Sequence, residues 1–150
     1  MTIDLNDLKR LRAETSASVS DCRQALEEAD GDYAKALTWI KKHSIAKAGK
    51  KSDRKTTQGI IESYIHGNRK VGVLLELFCE TDFVAKTDEF KQLAHELAMQ
   101  IAAMDPNDVA TLLKQEYIRD GSLTVGDIIS GVIGKLGENI TVGRFARFAM

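Results

Sequence analysis

The sequence predicts an α+β fold, in which a small antiparallel β-sheet of about three strands packs with helices. Three observations support this class. Apolar residues recur at helical spacing through the first 45 residues, alternate with polar residues from about residue 57, and return to helical spacing before a last alternating segment. We therefore predict a three-helix module over residues 1–45, a basic linker over 46–56, and an α+β core domain with a C-terminal strand over 57–150.

Three short helices are predicted in the N-terminal module. Leucines at three-residue intervals mark the first helix: Leu5, Leu8 and Leu11. The second helix runs from about Ser20 to Ala29 and is followed by Gly31, which suits a left-handed C-terminal cap. Asp32 is placed to cap the third helix, because its carboxylate can accept hydrogen bonds from the free N–H groups of the first turn.

A basic segment covers residues 41–55 and carries a net charge of +6. One acidic residue, Asp53, stands among its seven basic ones: Lys41, Lys42, Lys47, Lys50, Lys51, Arg54 and Lys55. A solvated helix end followed by a linker is the favoured interpretation, and nucleic-acid contact is the alternative. No aromatic residue lies between the basic ones, so stacking on single-stranded bases is not indicated.

A β-hairpin is predicted next, from residues 59–66 and 71–80 with a turn at 67–70. The second strand has one wholly apolar face: Val71, Val73, Leu75, Leu77 and Cys79. That face must be covered by another element. The helix predicted between Lys86 and Met104 carries a suitable apolar stripe.

A short helix and a turn are predicted after this hairpin and helix. Asp105 as N-cap and Pro106 at the first helical position form a strong start signal for a helix. Residues 120–122, which read Asp-Gly-Ser, are predicted to form a turn, because these residue types favour turn conformations.

The chain is predicted to end with a helix and a third strand. Thr124 caps the helix, and Gly137 closes it. The strand extends over residues 138–148, and its alternation changes phase around Gly143. Such a change of phase predicts a β-bulge.

The overall composition excludes several classes of protein. The chain has 150 residues, of which 43% are hydrophobic and 29% charged, with a formal net charge of -1. Disordered and collagen-like chains are excluded by these values. Its apolar stretches are far shorter than the roughly 20 residues of a membrane span, and its first residues lack the features of a secretory signal. We expect a cytoplasmic protein with no membrane or DNA partner.

Candidate catalytic and metal-binding residues are few. Cys22 and Cys79 each lie on an apolar stripe, so both are predicted to be buried hydrophobes, and they form no metal-binding pair. Cys79, His66 and Asp82 could act as nucleophile, base and orienting group, but their spacing matches no known signature. We expect no enzyme of covalent chemistry, no cofactor and no metal site.

The segment Glu80–Lys86 joins the second strand to the following helix and allows two interpretations. In the first, Thr81 or Asp82 caps a helix while Phe83 and Val84 enter the core. In the second, Asp82 and Phe83 lie at an exposed tip that inserts into a partner, because a buried aromatic side chain often dominates the energy of an interface.

Ten short blocks of sequence, spread over nearly the whole chain, form a recognisable pattern. The most specific block is Cys79–Lys86. The others are Leu11-Arg12-x-x-Thr15, Asp21-Cys22-x-x-Ala25-Leu26, Gly31-Asp32, Trp39-Ile40-Lys41, Ala46-Lys47-Ala48-x-Lys50-Lys51, Gly72–Leu75, Thr124–Asp127, Gly137–Ile140 and Arg144–Phe148. In their residues and their order, these blocks resemble the elongation factor Ts family. One block alone would be weak evidence, whereas several collinear blocks are strong.

The resemblance implies a guanine-nucleotide exchange factor that binds elongation factor Tu, both with GDP and without nucleotide, and promotes exchange of GDP for GTP. In that family the segment here numbered Thr81, Asp82, Phe83 and Val84 reaches the Mg²⁺ and phosphate side of the GDP site. Phe83 would insert between helices of the partner, and Asp82 would disturb the groups that hold Mg²⁺.

The resemblance also implies that the N-terminal module is ubiquitin-associated-like and docks on the nucleotide-binding domain of the partner. Arg12, Val19, Ser20 and Asp21 match this second contact region. This chain departs from the family at Val19 and Ser20, where a bulky apolar pair such as two methionines is common. It is also shorter than usual between Met104 and the C-terminal blocks.

Two alternatives stay open at this point. A pure adaptor would bind elongation factor Tu without accelerating exchange, and an RNA-binding protein would use residues 41–55. Neither alternative has an evident need for the segment Thr81–Val84, which therefore favours the exchange factor. The first residues match the family's first helix, so a bacterial-type cytoplasm is the simplest expected location.

Overall fold

The computed structural model describes residues 2–150. The N-terminal part forms three helices, as the sequence predicts: α1 (Leu5–Thr15), α2 (Val19–Glu28) and α3 (Tyr33–Lys51). Asp32 caps α3 by accepting a hydrogen bond from the Lys35 N–H, and Gly31 has a left-handed φ of 81°. Both predictions are confirmed. The three helices enclose a small core of buried side chains: Leu11, Cys22, Ala25, Leu26, Ala29, Ala36 and Ile40.

From residue 58 the chain forms, in order, β1 (Gln58–Ile65), β2 (Val71–Cys79), α4 (Asp82–Ala85), α5 (Asp88–Met104), α6 (Val109–Lys114), β3 (Glu116–Tyr117), β4 (Asp120–Thr124), α7 (Val125–Leu136) and β5 (Ile140–Ala149). β1, β2 and β5 make an antiparallel sheet with β2 in the middle. The α+β class and the three-stranded sheet are therefore confirmed. Among residues 2–150, no helix is long and apolar enough to span a membrane.

One face of the sheet is covered and the other is open. The covered face presents the buried side chains of β2, and α5 packs over it. α7 contacts α5 and joins the same core. The core residues are Val73, Leu75, Leu77 and Cys79 from the strand, Phe90, Leu93, Leu97 and Ile101 from α5, and Ile129 and Ile133 from α7. The predicted burial of Cys22 and Cys79 is confirmed. The open face carries exposed apolar residues, among them Ile61, Ile65, Leu74 and Phe148.

The predicted bulge lies in β5, opposite Glu76 of β2. The pairing register shifts between Leu75 and Leu77, which leaves Gly143 and Arg144 facing Glu76. The side-chain carboxylate of Glu76 accepts hydrogen bonds from the Arg144 backbone N–H at 2.8 Å and from its guanidinium at 2.8 and 3.0 Å. The extra residue of the bulge thus turns a backbone donor toward a carboxylate, and this contact stabilises the bulge.

This contact predicts a specific acid sensitivity. Hydrogen bonds from Arg144 lower the pKa of Glu76 from its ordinary value of 4.5 to about 2. Because the folded-state pKa is depressed, the stabilisation is complete above the unfolded value and is lost as the pH falls from 4.5 through about 2. The difference in melting temperature between the parent and Glu76→Gln should be constant above about pH 5 and shrink at lower pH. A difference that does not change with pH would contradict the assignment.

Two local predictions in the last third of the chain are wrong. Asp105 does not start α6; it ends α5 with a left-handed φ of 47°, and its N–H donates to the Ile101 carbonyl. Asp108 is the N-cap of α6 and accepts a hydrogen bond from the Thr111 N–H at 2.7 Å. Residues 120–122 are not the turn but the start of β4, which pairs with β3.

The β3–β4 ribbon forms where it does because it is attached to α5. The buried Glu96 of α5 accepts hydrogen bonds from the Tyr117 hydroxyl at 2.7 Å and from Arg119 Nε at 2.6 Å. Burial acts to raise the pKa of Glu96, but these hydrogen bonds and the Arg119 charge outweigh it and lower the pKa. The residues between the two strands therefore face α5, and the reversal of the chain falls before Asp120.

Helix α3 is longer than the sequence predicts. A linker is expected from residue 46, whereas α3 continues to Lys51. Alanine and lysine are favourable in helices, and Ala48 is buried in the core that lies under the sheet. α3 also packs on α7, where a Cβ added to Gly134 would lie 3.4 Å from the Ser44 hydroxyl. The end of α3 is therefore fixed by contacts with the second half of the chain.

Candidate partner interface

Helix α4 presents an aromatic side chain to solvent. It has four residues, and Thr81 caps it by accepting a hydrogen bond from the Val84 N–H at 3.3 Å. Phe83 is 87% exposed, whereas Val84 packs partly against the core and Ala85 is buried. Thr81 as cap and Val84 toward the core agree with the first interpretation of this segment. The first interpretation is wrong in predicting that Phe83 is buried. Phe83 lies at an exposed tip, as the second interpretation predicts.

Asp82 lies beside Phe83 on the same exposed turn. Its carboxylate is 2.7 Å from the Lys86 ammonium, and both side chains are exposed. An exposed ion pair between residues four apart in sequence is weak. The Asp82 carboxylate is therefore readily available to another molecule.

The base of α4 is held by the carboxylate of Glu138, which lies just before β5. Oε1 of Glu138 accepts hydrogen bonds from the Thr81 N–H at 2.9 Å and the Glu80 N–H at 3.1 Å. Oε2 accepts one from the Thr81 hydroxyl at 2.6 Å. The same hydroxyl thus donates to Glu138 while it caps α4.

The attachment is reciprocal, because Glu80 in turn binds the segment that follows Glu138. The Asn139 N–H donates to Glu80 Oε1 at 2.8 Å, and the Arg54 guanidinium lies 3.5 Å from the same oxygen. The buried Asn139 side chain donates to the carbonyls of Arg54 at 2.9 Å and Ser52 at 3.4 Å. We call Glu80, Thr81, Glu138, Asn139 and Arg54 the α4 clamp.

Sequence reasoning assigns no role to most of this clamp. Glu138 and Asn139 belong to a block that carries the family resemblance, but their partners are 57 to 87 residues away in sequence. One local signal was available. Gly137 ends α7 in the left-handed conformation, with a φ of 77°, so the following residue leaves the helix in a fixed direction.

The residues predicted in the N-terminal contact region lie on α1 and α2. Arg12 is exposed on α1, and Val19 and Ser20 are exposed in the first turn of α2. Asp21 is half-buried and differs from them, because its carboxylate binds the Lys47 ammonium of α3 at 2.8 Å. Burial acts to raise the pKa of Asp21, but hydrogen bonds from Lys47 and Ser18 outweigh this effect and lower it.

The structure does not bring the imagined catalytic residues together. Cys79 is buried, burial raises the pKa of its thiol, and the thiol donates to the Thr81 carbonyl at 3.2 Å. His66 follows β1 at the end of the sheet opposite Cys79, since Cys79 pairs with Gln58 and Ile65 pairs with Gly72. Within residues 2–150, no group of three or more His, Cys, Asp or Glu side chains is arranged to hold a metal ion.

Comparison with known proteins identifies the family. The sequence profile described as Elongation factor TS matches residues 80–150, which include α4 and Glu138. Elongation factor Ts of Oleidesulfovibrio alaskensis is 40% identical over 188 positions that cover 95% of each chain. That of Petrotoga mobilis is 39% identical over 195 positions, covering 100% of this chain and 99% of the relative. Since this chain has 150 residues, both alignments require residues inserted in the relatives.

A third relative aligns without such an excess. Elongation factor Ts of a Nostoc species is 48% identical over 143 positions, which cover 95% of this chain but 45% of that protein. Relatives of quite different length thus match nearly the whole of this chain, both its N-terminal helices and its sheet. On this evidence the chain belongs to the elongation factor Ts family.

Proposed function

We propose that this chain binds elongation factor Tu with GDP bound and without nucleotide, and accelerates the release of GDP and its exchange for GTP. Family membership supports the exchange activity. The observation that carries the proposal for the site is the exposure of Phe83 on a short helix whose base is firmly held. A large apolar side chain held in water is suited to insertion into a partner.

The physical argument for Phe83 concerns its hydration. Burying a phenylalanine side chain stabilises a complex by about 1.5–3 kcal/mol relative to leaving it in water. In the free protein this stabilisation is not realised, because Phe83 is exposed. A partner conformation that offers a pocket for Phe83 is therefore favoured over one that does not. Binding shifts the partner toward the conformation that has this pocket.

Asp82 contributes through its charge. In the nucleotide site Mg²⁺ neutralises phosphate oxygens, so a carboxylate that disturbs the groups holding the metal weakens GDP binding. The coupling is reciprocal: if this chain lowers the affinity of the partner for GDP, GDP lowers its affinity for this chain by the same factor. Thr81 and Val84 complete the segment, Thr81 as the cap and Val84 as its contact with the core.

We propose residues 1–45 as a docking module for the nucleotide-binding domain of the partner and residues 57–150 as the core domain. Arg12, Val19 and Ser20 are exposed and available for direct contact. The bond between Asp21 and Lys47 supports a different task for Asp21, which is to fix α2 against α3. The protein performs no covalent chemistry in this scheme, needs no cofactor, and acts in the cytoplasm.

RNA binding through residues 41–55 has less support. Lys47 binds Asp21, and Arg54 lies against Glu80, so two of the seven basic side chains already have acidic partners. Because part of its positive charge is neutralised within the protein, this helix end should bind the phosphate groups of RNA only weakly.

The proposal is tested by the release of a fluorescent GDP analogue from elongation factor Tu. We expect release to accelerate as this protein is added, and the rate to reach a plateau at high concentration. A folded protein that binds elongation factor Tu without changing the release rate would be an adaptor and would contradict the exchange function. Binding to RNA that weakens steeply with salt would support the RNA alternative instead.

A further inference from the structure

We propose that Glu138 is a positioning residue for exchange: it sets the direction in which α4 presents Phe83 to the partner. This inference rests on the proposed function, because it assumes that Phe83 acts on elongation factor Tu. Glu138 itself lies behind α4 and binds Glu80 and Thr81 rather than the partner-facing side chains.

Helix α4 cannot fix its own direction. It has four residues, whereas isolated helices shorter than roughly 12 residues are marginal in water. Of its side chains, Ala85 is buried and Val84 partly buried, and these lie at its C-terminal end. Asp82 and Phe83, in the N-terminal half of α4, are exposed, so the helix needs an attachment at its N-terminal end.

The Glu138 carboxylate supplies that attachment with both of its oxygens. Two backbone N–H groups and one hydroxyl converge on it from Glu80 and Thr81. A carboxylate accepts hydrogen bonds at both oxygens and donates none, so it suits three convergent donors. Hydrogen bonds to a charged acceptor are also stronger than those between neutral groups.

The rest of the α4 clamp keeps Glu138 in place. Glu80 accepts the Asn139 N–H, so residues 80–81 and 138–139 exchange hydrogen bonds in both directions. The Arg54 guanidinium lies 3.5 Å from Glu80 Oε1, the oxygen that accepts the Asn139 N–H. The base of α4 is thus joined to the start of β5 and to the segment after α3 at the same point.

The attachment needs an acceptor at both side-chain oxygens of residue 138, which a carboxylate provides. This hydroxyl donates its proton to Glu138 and accepts from the Val84 N–H. A glutamine has one acceptor oxygen and one NH₂ donor, so either the Thr81 hydroxyl or the two backbone N–H groups would lose their acceptor. Glu138→Gln is therefore expected to weaken the attachment in part, and Glu138→Ala to remove it.

The test measures the release of fluorescent GDP from elongation factor Tu at saturating concentrations of each variant. We expect Glu138→Ala to lower the maximal rate by about tenfold, since displacements of about 1 Å in an active arrangement can cost up to about 100-fold. The half-saturating concentration should change less, because the N-terminal module is untouched. Glu138→Gln should lower the maximal rate by about two- to threefold.

The matched control is Glu96→Ala. Glu96 is likewise a carboxylate that accepts hydrogen bonds from three donors, here the side chains of Gln92, Tyr117 and Arg119, but it is buried and holds the β3–β4 ribbon. Its replacement should lower the melting temperature and leave the maximal exchange rate of the folded protein unchanged. An equal loss of rate in Glu96→Ala would show that general destabilisation, and not the direction of α4, is responsible.

The double variant Phe83→Ala/Glu138→Ala separates this inference from the proposed function. If Glu138 acts through Phe83, its replacement causes no further loss once Phe83 is absent. A full additional loss in that background, or normal exchange by Glu138→Ala when Phe83→Ala is impaired, would overturn the inference. Normal exchange by Phe83→Ala itself would overturn the proposed role of Phe83. If Glu138→Ala does not unfold cooperatively, the same comparisons are made with Glu138→Gln.

Discussion

Replacing Phe83 with alanine is expected to lower the maximal acceleration of GDP release by roughly tenfold or more. Aromatic residues that dominate an interface typically cost at least about 2 kcal/mol when truncated, and about 1.4 kcal/mol corresponds to a factor of ten. The stability of the free protein should hardly change, because Phe83 is 87% exposed. Its unfolding free energy should stay within about 0.5 kcal/mol of the parent value. Stopped-flow release of a fluorescent GDP analogue and urea unfolding measure the two quantities.

Phe148→Ala is the matched control for this experiment. Phe148 is 75% exposed, but it lies on the open face of the sheet, in β5 rather than on α4. The same loss of an exposed aromatic ring should therefore leave exchange unchanged. Full exchange activity in a folded Phe83→Ala protein would show that the exposed ring has no part in opening the nucleotide site.

The largest effect on stability is expected at Phe90, which is fully buried between α5 and the sheet. Phe90→Ala should lower the unfolding free energy by about 3–5 kcal/mol, because the lost burial is compounded by the cavity that remains. Domains of this size are stable by roughly 5–15 kcal/mol, so the variant should be close to unfolding. Urea denaturation of the parent and variant measures the difference.

Ile61→Ala controls for the loss of an apolar side chain from the same domain. Ile61 is 72% exposed on the open face of β1, so its truncation should change stability by no more than about 0.5 kcal/mol. A loss below about 1 kcal/mol in Phe90→Ala would mean that α5 and the sheet close over the vacated space, and that the core is more adaptable than its packing indicates.

Much of the fold follows from local chemistry in the sequence. Asp32 and Thr124 cap helices as predicted, because a side-chain oxygen before a helix binds the free N–H groups of its first turn. The alternating side chains of β2 identify its buried face for a similarly local reason, since neighbouring residues in a strand point to opposite sides.

The local predictions fail where several nearby residues suit the same structural role and tertiary packing determines which of them takes it. Asp105 and Asp108 are both good N-caps, and the choice depends on where α5 ends. Asp120 and Gly121 favour a turn by composition, but the attachment of Tyr117 and Arg119 to Glu96 moves the reversal to an earlier position. Neither effect can be seen in a window of a few residues.

The candidate site shows the same division. Thr81 is recognisable as a cap from its position alone. Whether Phe83 is buried cannot be read from a helix of four residues, since a single turn shows no periodicity. The role of Glu138 is harder still to predict from the sequence, because its hydrogen bonds to Thr81 join residues 57 positions apart.

The unbroken course of α3 has a consequence for bivalent recognition. A partner that contacts both α2 and α4 binds the second of them at an effective concentration set by the connection between the two. A flexible tether long enough to span the two sites would give a modest effective concentration that falls as the tether lengthens. Here the N-terminal helices are connected to the rest of the chain by a helix that continues to Lys51 and packs on α7. The effective concentration is therefore high only for a partner whose two binding sites have the matching separation, and negligible for other separations. One residue inserted into α3 would rotate everything beyond it by about 100°, and simultaneous engagement would be lost although every contacting side chain remained.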